Sequence, residues 1–182
     1  MPWKNSESRY STASIALHWL MLVLLVVVYA TIELRGIFPK GSGGRTLIKE
    51  AHFMLGLTVF VLVWLRLFAR SLGVAPKIIP APPQWQSLMA TLMHIALYVF
   101  MIGMPILGWM TTSAAGNQVM FYGIDLPLLM SENKDLAKQL QGWHVLGGTI
   151  GYWLIGLHAL AGIAHHYYYR DNTLLRMMPK RN

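Results

Sequence analysis

The segment Trp143–His158, WHVLGGTIGYWLIGLH, carries no charged side chain and has a histidine near each end. Its apolar character continues in both directions, from about Leu140 to about Tyr169. A helix needs about 20 such residues to cross about 30 Å of hydrocarbon, so this stretch reads as a membrane span. Three more segments have the same character, at about Ser11–Leu34, Thr46–Ala69 and Trp85–Thr112. The chain as a whole agrees: of its 182 residues 55% are hydrophobic and only 12% are charged, about half the usual charged share of a soluble domain. Residues 1–182 are therefore expected to form one all-α domain, an integral membrane four-helix bundle with spans at about 11–34, 46–69, 85–112 and 140–169. The first segment is too long for a signal-peptide core and no small-residue cleavage site follows it, so it too is read as a span.

The connections carry the helix breakers. Arg35–Gly44 is rich in Gly, Pro and Ser, Gly73–Pro83 holds four prolines, and Ala115–Lys138 is the longest linker. A short surface helix is expected at about 173–178, capped by Asp171-Asn172-Thr173, with its basic residues toward lipid. Trp3, Trp85, Trp109 and Trp143 fall near span ends and read as interfacial anchors, whereas Trp19, Trp64 and Trp153 fall inside spans and read as packing residues.

The formal charge of +8 belongs to basic residues flanking the membrane and not to a nucleic-acid interface. The N-terminus, second linker and tail hold Lys4, Arg9, Arg66, Arg70, Lys77, Arg170, Arg176, Lys180 and Arg181 against Glu7 and Asp171. The opposite side holds Arg35, Lys40, Arg45, Lys49, Lys134 and Lys138 against five acidic residues. Both termini are therefore expected in the cytoplasm. The absence of cysteine excludes disulfides, thiolate-bound iron–sulfur clusters and covalent c-type haem.

All seven histidines, His18, His52, His94, His144, His158, His165 and His166, lie in or at the edge of a span, with no carboxylate near the middle of a span to partner them. Such groups are costly in hydrocarbon and mark function. The competing explanations are a hydrogen bond to a neighbouring helix and snorkelling to head groups. His144 and His158 are separated by about 21 Å of helix rise and lie within about 40° of the same face. That spacing suits two stacked porphyrins, each with its own axial imidazole. His52 lies at the depth of His144 and is its expected partner on the outer side. On the inner side His18 and His94 are equally placed to partner His158. His165 would stretch the separation of the two ligands on the fourth span to about 31 Å, and His166 is turned about 100° from it. Gly56, Gly148 and Gly162 each follow a histidine by four residues, which suits close approach of a flat ring and equally suits small-residue helix packing.

ALHW (16–19), ELRGIFPKG (33–41), EAHFMLG (50–56) and above all HHYYYRDNTLLRMMPKR (165–181) resemble the bacterial cytochrome b-561 family, small four-helix di-haem proteins of the inner membrane. The resemblance covers essentially the whole chain. It implies two haem b groups (protohaem IX), with His18 and His158 on the inner haem iron and His52 and His144 on the outer one. It implies that His94, His165 and His166 are not ligands. It further implies a superoxide oxidase, in which superoxide gives electrons at the periplasmic side and ubiquinone is reduced to quinol, with membrane lipid as surroundings and no protein partner required.

The residues are compatible with that chemistry. Arg35, Lys40, Arg45 and Lys49 crowd the first outer linker near His52 and could steer an anion, although pairing with haem propionates or lipid phosphates explains them too. His94, His165, His166 and Arg170, with Asp171, are quinone-site candidates, since histidine can bond a carbonyl and pass protons near neutral pH. The competing explanation is an interfacial aromatic belt, which Tyr167–Tyr169 resemble. Arg66 and Arg70, one turn apart, suit propionates or snorkelling. Two alternatives stand beside this reading. One is a haem-b subunit serving a partner dehydrogenase or hydrogenase. The other is a haem-free proton-coupled transporter, which would favour intramembrane carboxylates, broken helices and repeats.

Overall fold

The computed structural model describes residues 4–179. Trp3, Lys180 and Arg181, read above as an anchor and as inside-facing charges, lie outside the described residues. Four long helices run antiparallel in sequence order: α1 Thr12–Leu34, α2 Gly43–Ser71, α3 Gln84–Ala114 and α4 Lys134–Tyr167. All four are long and apolar enough to cross a membrane. The start of α1, the α2–α3 linker and the end of α4 share one end of the bundle, here the terminal end. The other two linkers occupy the distal end.

Polar caps set the helix starts. Ser11 accepts from the Ser14 N–H at 3.2 Å, Ser42 from that of Arg45 at 3.3 Å, and Asn133 from that of Leu136 at 3.0 Å. Each satisfies an amide that the first turn leaves unbonded. α4 consequently begins six residues before the apolar stretch does, with Asp135 in its first turn facing the positive end of the helix dipole. It ends at Tyr167, two residues earlier than hydropathy suggests, and Arg170 at φ 53° turns the chain back.

Met21, Val59, Val63 and Met101 are buried between α1, α2 and α3, and Ala114, Ala137 and Leu140 close the α3–α4 contact at the distal end. The bundle's outer surface exposes Val23, Val26, Leu65, Phe68, Leu92 and Val99, as expected where lipid replaces water as the solvent. Trp64 and Trp153 belong to that surface at 51% and 71% exposure and do not pack inside the bundle as their mid-span positions suggested.

Two connections hold structure that hydropathy does not reveal. The α3–α4 linker contains an antiparallel hairpin, β1 Val119–Phe121 and β2 Ile124–Leu126. Its turn residues Tyr122 (φ 47°) and Gly123 (φ 83°) are both left-handed, the conformation of a type I′ two-residue hairpin turn. The hairpin lies against α2, where the Tyr122 and Thr58 hydroxyls are 3.2 Å apart. The Trp109 indole donates to the Pro127 carbonyl at 3.1 Å.

After α4 the chain folds back over the terminal end. Trp19 Nε1 donates to the Met177 carbonyl at 2.8 Å, and the Ile79 amide donates to the Asn172 side chain at 2.9 Å. The Arg176 guanidinium donates to the Pro76 carbonyl and lies over the Tyr10 ring. The expected surface helix is reduced to one 3-10 turn, Leu175–Met177, because these bonds go to α1 and the second linker. Arg176 is buried at 8% exposure and does not face lipid.

Candidate functional site

At the distal end His52 of α2 faces His144 of α4, with ring centroids 6.2 Å apart and planes at 79°. His52 Nδ1 lies 3.2 Å from both the Val28 carbonyl oxygen and the Thr31 hydroxyl. A carbonyl can only accept, so the ring proton belongs on Nδ1 and Nε2 is left bare, the arrangement a metal-binding imidazole needs. Among the described residues His144 Nδ1 is buried without a hydrogen-bond partner. Phe53, Gly56, Pro105, Gly108 and Trp109 line a pocket beside the two rings, between α2, α3 and α4. At Gly108 a Cβ would stand 3.2 Å from His144 Cε1, so a side chain there would push the ring away.

At the terminal end His18 of α1 faces His158 of α4 at 6.1 Å and 82°. His94 of α3 also meets His158, at 5.5 Å and 70°. Arg66 of α2 reaches into this group: its NH1 is 2.7 Å from His18 Nδ1 and its Nε is 3.4 Å from the Tyr98 hydroxyl. Arg70, one turn on, is exposed. Spacing left His18 and His94 open as partners of His158, and the structure brings both to it.

These residues fit a metalloporphyrin. Two metal–imidazole bonds of about 2 Å each, with the half-width of each ring added, put the centroids about 6 Å apart, as in both facing pairs. A Cβ placed on Gly56, Gly148 or Gly162 meets nothing within 4 Å, so the helix surface beside His52, His144 and His158 is clear. Gly142 and Gly156 of α4 are equally clear, whereas a Cβ on Gly147 would lie 2.5 Å from Met104 Sδ, and one on Gly151 would strike Tyr29 and Phe100. Among the described residues no three His, Asp or Glu donors converge on a bare ion.

A family model described as prokaryotic cytochrome b561 matches residues 9–180. The chain belongs to the prokaryotic cytochrome b561 family. This cytochrome is 40% identical to cytochrome b561 homolog 1 of Escherichia coli (strain K12) over 174 residues, 96% of the chain and 99% of that protein. It is 36% identical to the probable superoxide oxidase CybB of Yersinia pestis over 175 residues, 96% and 98% of the two chains. A second E. coli relative, cytochrome b561 homolog 2, is 24% identical over 184 residues, 99% and 96% of the two chains. Membership makes the protein a membrane electron-transfer cytochrome that binds b-type haem, and the facing imidazoles are the residues that would hold one.

Of the quinone candidates the cytochrome brings His165 and Asp171 together and places His94 against His158. His165 Nδ1 is 2.5 Å from Asp171 Oδ2, and the Asp171 amide donates to the His165 carbonyl at 3.1 Å. Burial pushes the Asp171 carboxyl up, but the hydrogen bonds from His165 and Thr173 outweigh it and hold the group below its ordinary value. His166 stacks edge-on against exposed Tyr167. Arg170 is exposed.

The basic distal linker also divides. Arg45 donates to the carbonyls of Arg35 at 3.3 Å and Phe38 at 3.1 Å, so it folds the linker. Lys49 is exposed, with Nζ 5.6 Å from the Phe53 ring centroid. Phe53 in turn meets His52 edge-on at 6.3 Å. Sequence reasoning missed Val28, Thr31, Pro105 and Gly108 around the distal pair. The Pro105-x-x-Gly108 interruption of a span was a usable signal, whereas a carbonyl such as that of Val28 leaves none.

Proposed function

We propose that this cytochrome is a superoxide:ubiquinone oxidoreductase, a superoxide oxidase of the bacterial inner membrane with its terminal end in the cytoplasm. It holds two haem b groups, one between His18 and His158 and one between His52 and His144. The carrying observation is the pair of like-spaced facing histidines, 6.1 and 6.2 Å, at opposite ends of one bundle. The name of the Yersinia pestis relative supports the donor. When bound, b-type haems supply one-electron transfer between the two ends. In the balanced reaction two superoxide anions each lose one electron to become dioxygen, and one ubiquinone takes up two electrons and two protons.

The chain's own residues divide the remaining work. Lys49, exposed beside Phe53, draws an anion toward His52, and the charges of Arg35 and Arg45 add to the same field. At the other end, His165 with its Asp171 partner can hold or release a proton at the head-group level, beside His166 and Arg170.

Superoxide added to the purified protein should reduce its haem absorbance bands, and a ubiquinone analogue should reoxidise them with release of dioxygen. The alternative is a haem-b subunit serving a dehydrogenase or hydrogenase, and the exposed hairpin side chains Met120, Tyr122 and Ile124 favour it as a docking surface. Haem bands that superoxide leaves oxidised would sink the oxidase reading and leave that alternative.

A further inference from the structure

The terminal-end site contains one imidazole more than a six-coordinate haem uses. His158 has two ring neighbours from different helices, His18 at 6.1 Å and His94 at 5.5 Å, at similar steep angles. They are not held alike. Arg66 NH1 stands 2.7 Å from His18 Nδ1. A guanidinium only donates, so His18 Nδ1 accepts and its own proton sits on Nε2, the nitrogen that would meet a metal. Among the described residues no arginine hydrogen bond of this kind reaches a His94 ring nitrogen, which has the Ala90 backbone of its own helix as its polar neighbour. At the distal end, by contrast, His52 is set with Nε2 bare by the Val28 carbonyl, and among the described residues His144 has one histidine ring neighbour.

We propose that His94 is a substitute axial ligand, able to pair with His158 on the terminal-end haem iron when His18 is withdrawn. The inference rests on the reading that facing imidazoles hold haem in this bundle, and it adds a third protein donor to that site. His94 has to retreat by less than 1 Å, from 5.5 Å to the separation of the other two pairs, a shift within reach of a χ-angle adjustment. His18 has to give up the Arg66 bond and move its ring proton to Nδ1 before it binds. Two imidazoles thus compete for one coordination position, the nearer one beside the Ala90 backbone of its own helix and the better spaced one engaged by Arg66.

The test uses the full-length protein in detergent, with haem content by pyridine haemochrome and spin state by electron paramagnetic resonance. His18→Ala should retain two haems per chain, both low-spin, with the terminal-end signal shifted in g-values. His94→Ala should also retain two. The double variant His18→Ala/His94→Ala should hold a haem at the distal end only, and that low-spin centre shows that the chain has folded. A His18→Ala protein with one haem, or with a high-spin five-coordinate second haem, would overturn the proposal. His158→Ala separates the two levels: if it keeps both low-spin centres, the underlying assignment of the facing pairs fails, whatever His94 does.

Discussion

His52 Nδ1 stands 3.2 Å from the carbonyl oxygen of Val28, a residue of the neighbouring helix. Thr31, one turn further along α1, offers its hydroxyl to the same nitrogen at 3.2 Å while donating to the Val28 carbonyl at 2.6 Å. One imidazole proton is thus shared by two acceptors that α1 holds in register. Such partners fix the tautomer of a metal-binding histidine, and losing one costs roughly 10–100-fold in metal affinity. Thr31→Val should fall near the lower bound, about 10-fold in haem retention at the distal end, because the Val28 carbonyl remains. Haem transfer from the purified protein to apomyoglobin measures it, and unchanged release kinetics would count against the role given to Thr31.

Two glycines three residues apart on α4 should behave oppositely. Gly148 faces open space beside His144, so in the proposed two-haem arrangement Gly148→Leu should leave helicity and solubility unchanged but fill the place of the flat ring and abolish the distal haem. A Cβ on Gly151 would meet Phe100 Cε2 at 2.5 Å as well as the Tyr29 hydroxyl. Gly151→Ala should therefore lower the thermal midpoint in detergent by the cost of overpacking, about 1–3 kcal/mol, without altering the haem spectrum of the folded fraction. Circular dichroism melts with parallel haem spectra check both. Identical phenotypes would show that the two positions do not divide between cofactor and packing.

Lys49 and Arg45 are separable in the same way. On the proposed function, Lys49→Glu should slow superoxide oxidation several-fold at low ionic strength and flatten its salt dependence, since screening acts over about 10 Å at 0.1 M. Arg45→Ala removes bonds to two backbone carbonyls and should loosen the linker, seen as faster amide exchange over residues 35–45. Stopped-flow rates across a salt series decide the first point. A Lys49→Glu protein with wild-type rates at low salt would remove the steering role.

The C-terminal fold-back should be acid-sensitive. The Asp171 carboxyl sits below its ordinary value in the folded protein, held there by His165 and Thr173 against the opposing effect of burial. A group depressed in this way stabilises the fold above the ordinary carboxylate value of about 3.9 and loses that contribution as pH falls through its lower folded value. Residues 171–178 should therefore open on acidification below about pH 4, and Asp171→Asn should open them at neutral pH. Amide exchange of that segment is the measurement. Equal protection at pH 3 and pH 7, after correction for intrinsic exchange, would exclude the mechanism.

The fold was legible in the sequence to the extent that single-chain properties decide it. Four apolar runs of spanning length have few alternatives, because a lipid-exposed backbone must satisfy its own hydrogen bonds and a helix does so within one segment. The depths of His52 and His144 followed from a fixed rise per residue, and the pair does face across the bundle. The hairpin at Val119–Leu126 and the fold-back after Tyr167 were not legible. Three-residue strands are too short to show a period, and the fold-back is held by bonds from Trp19, Asn172 and Arg176 to carbonyls and amides distant in sequence.

Tertiary structure alone decided which polar groups face which. Helix rise places His18 and His94 at one depth, but only the packing of α1, α3 and α4 brings both rings to His158. Arg66 and Arg70 share a helical face in the sequence, yet one meets His18 and the other is exposed, because helix rotation about its own axis is set by side-chain interdigitation with its neighbours and not by its own periodicity. Hydropathy fixes how far a residue lies along the membrane normal. The direction it faces there depends on contacts between helices far apart in the chain.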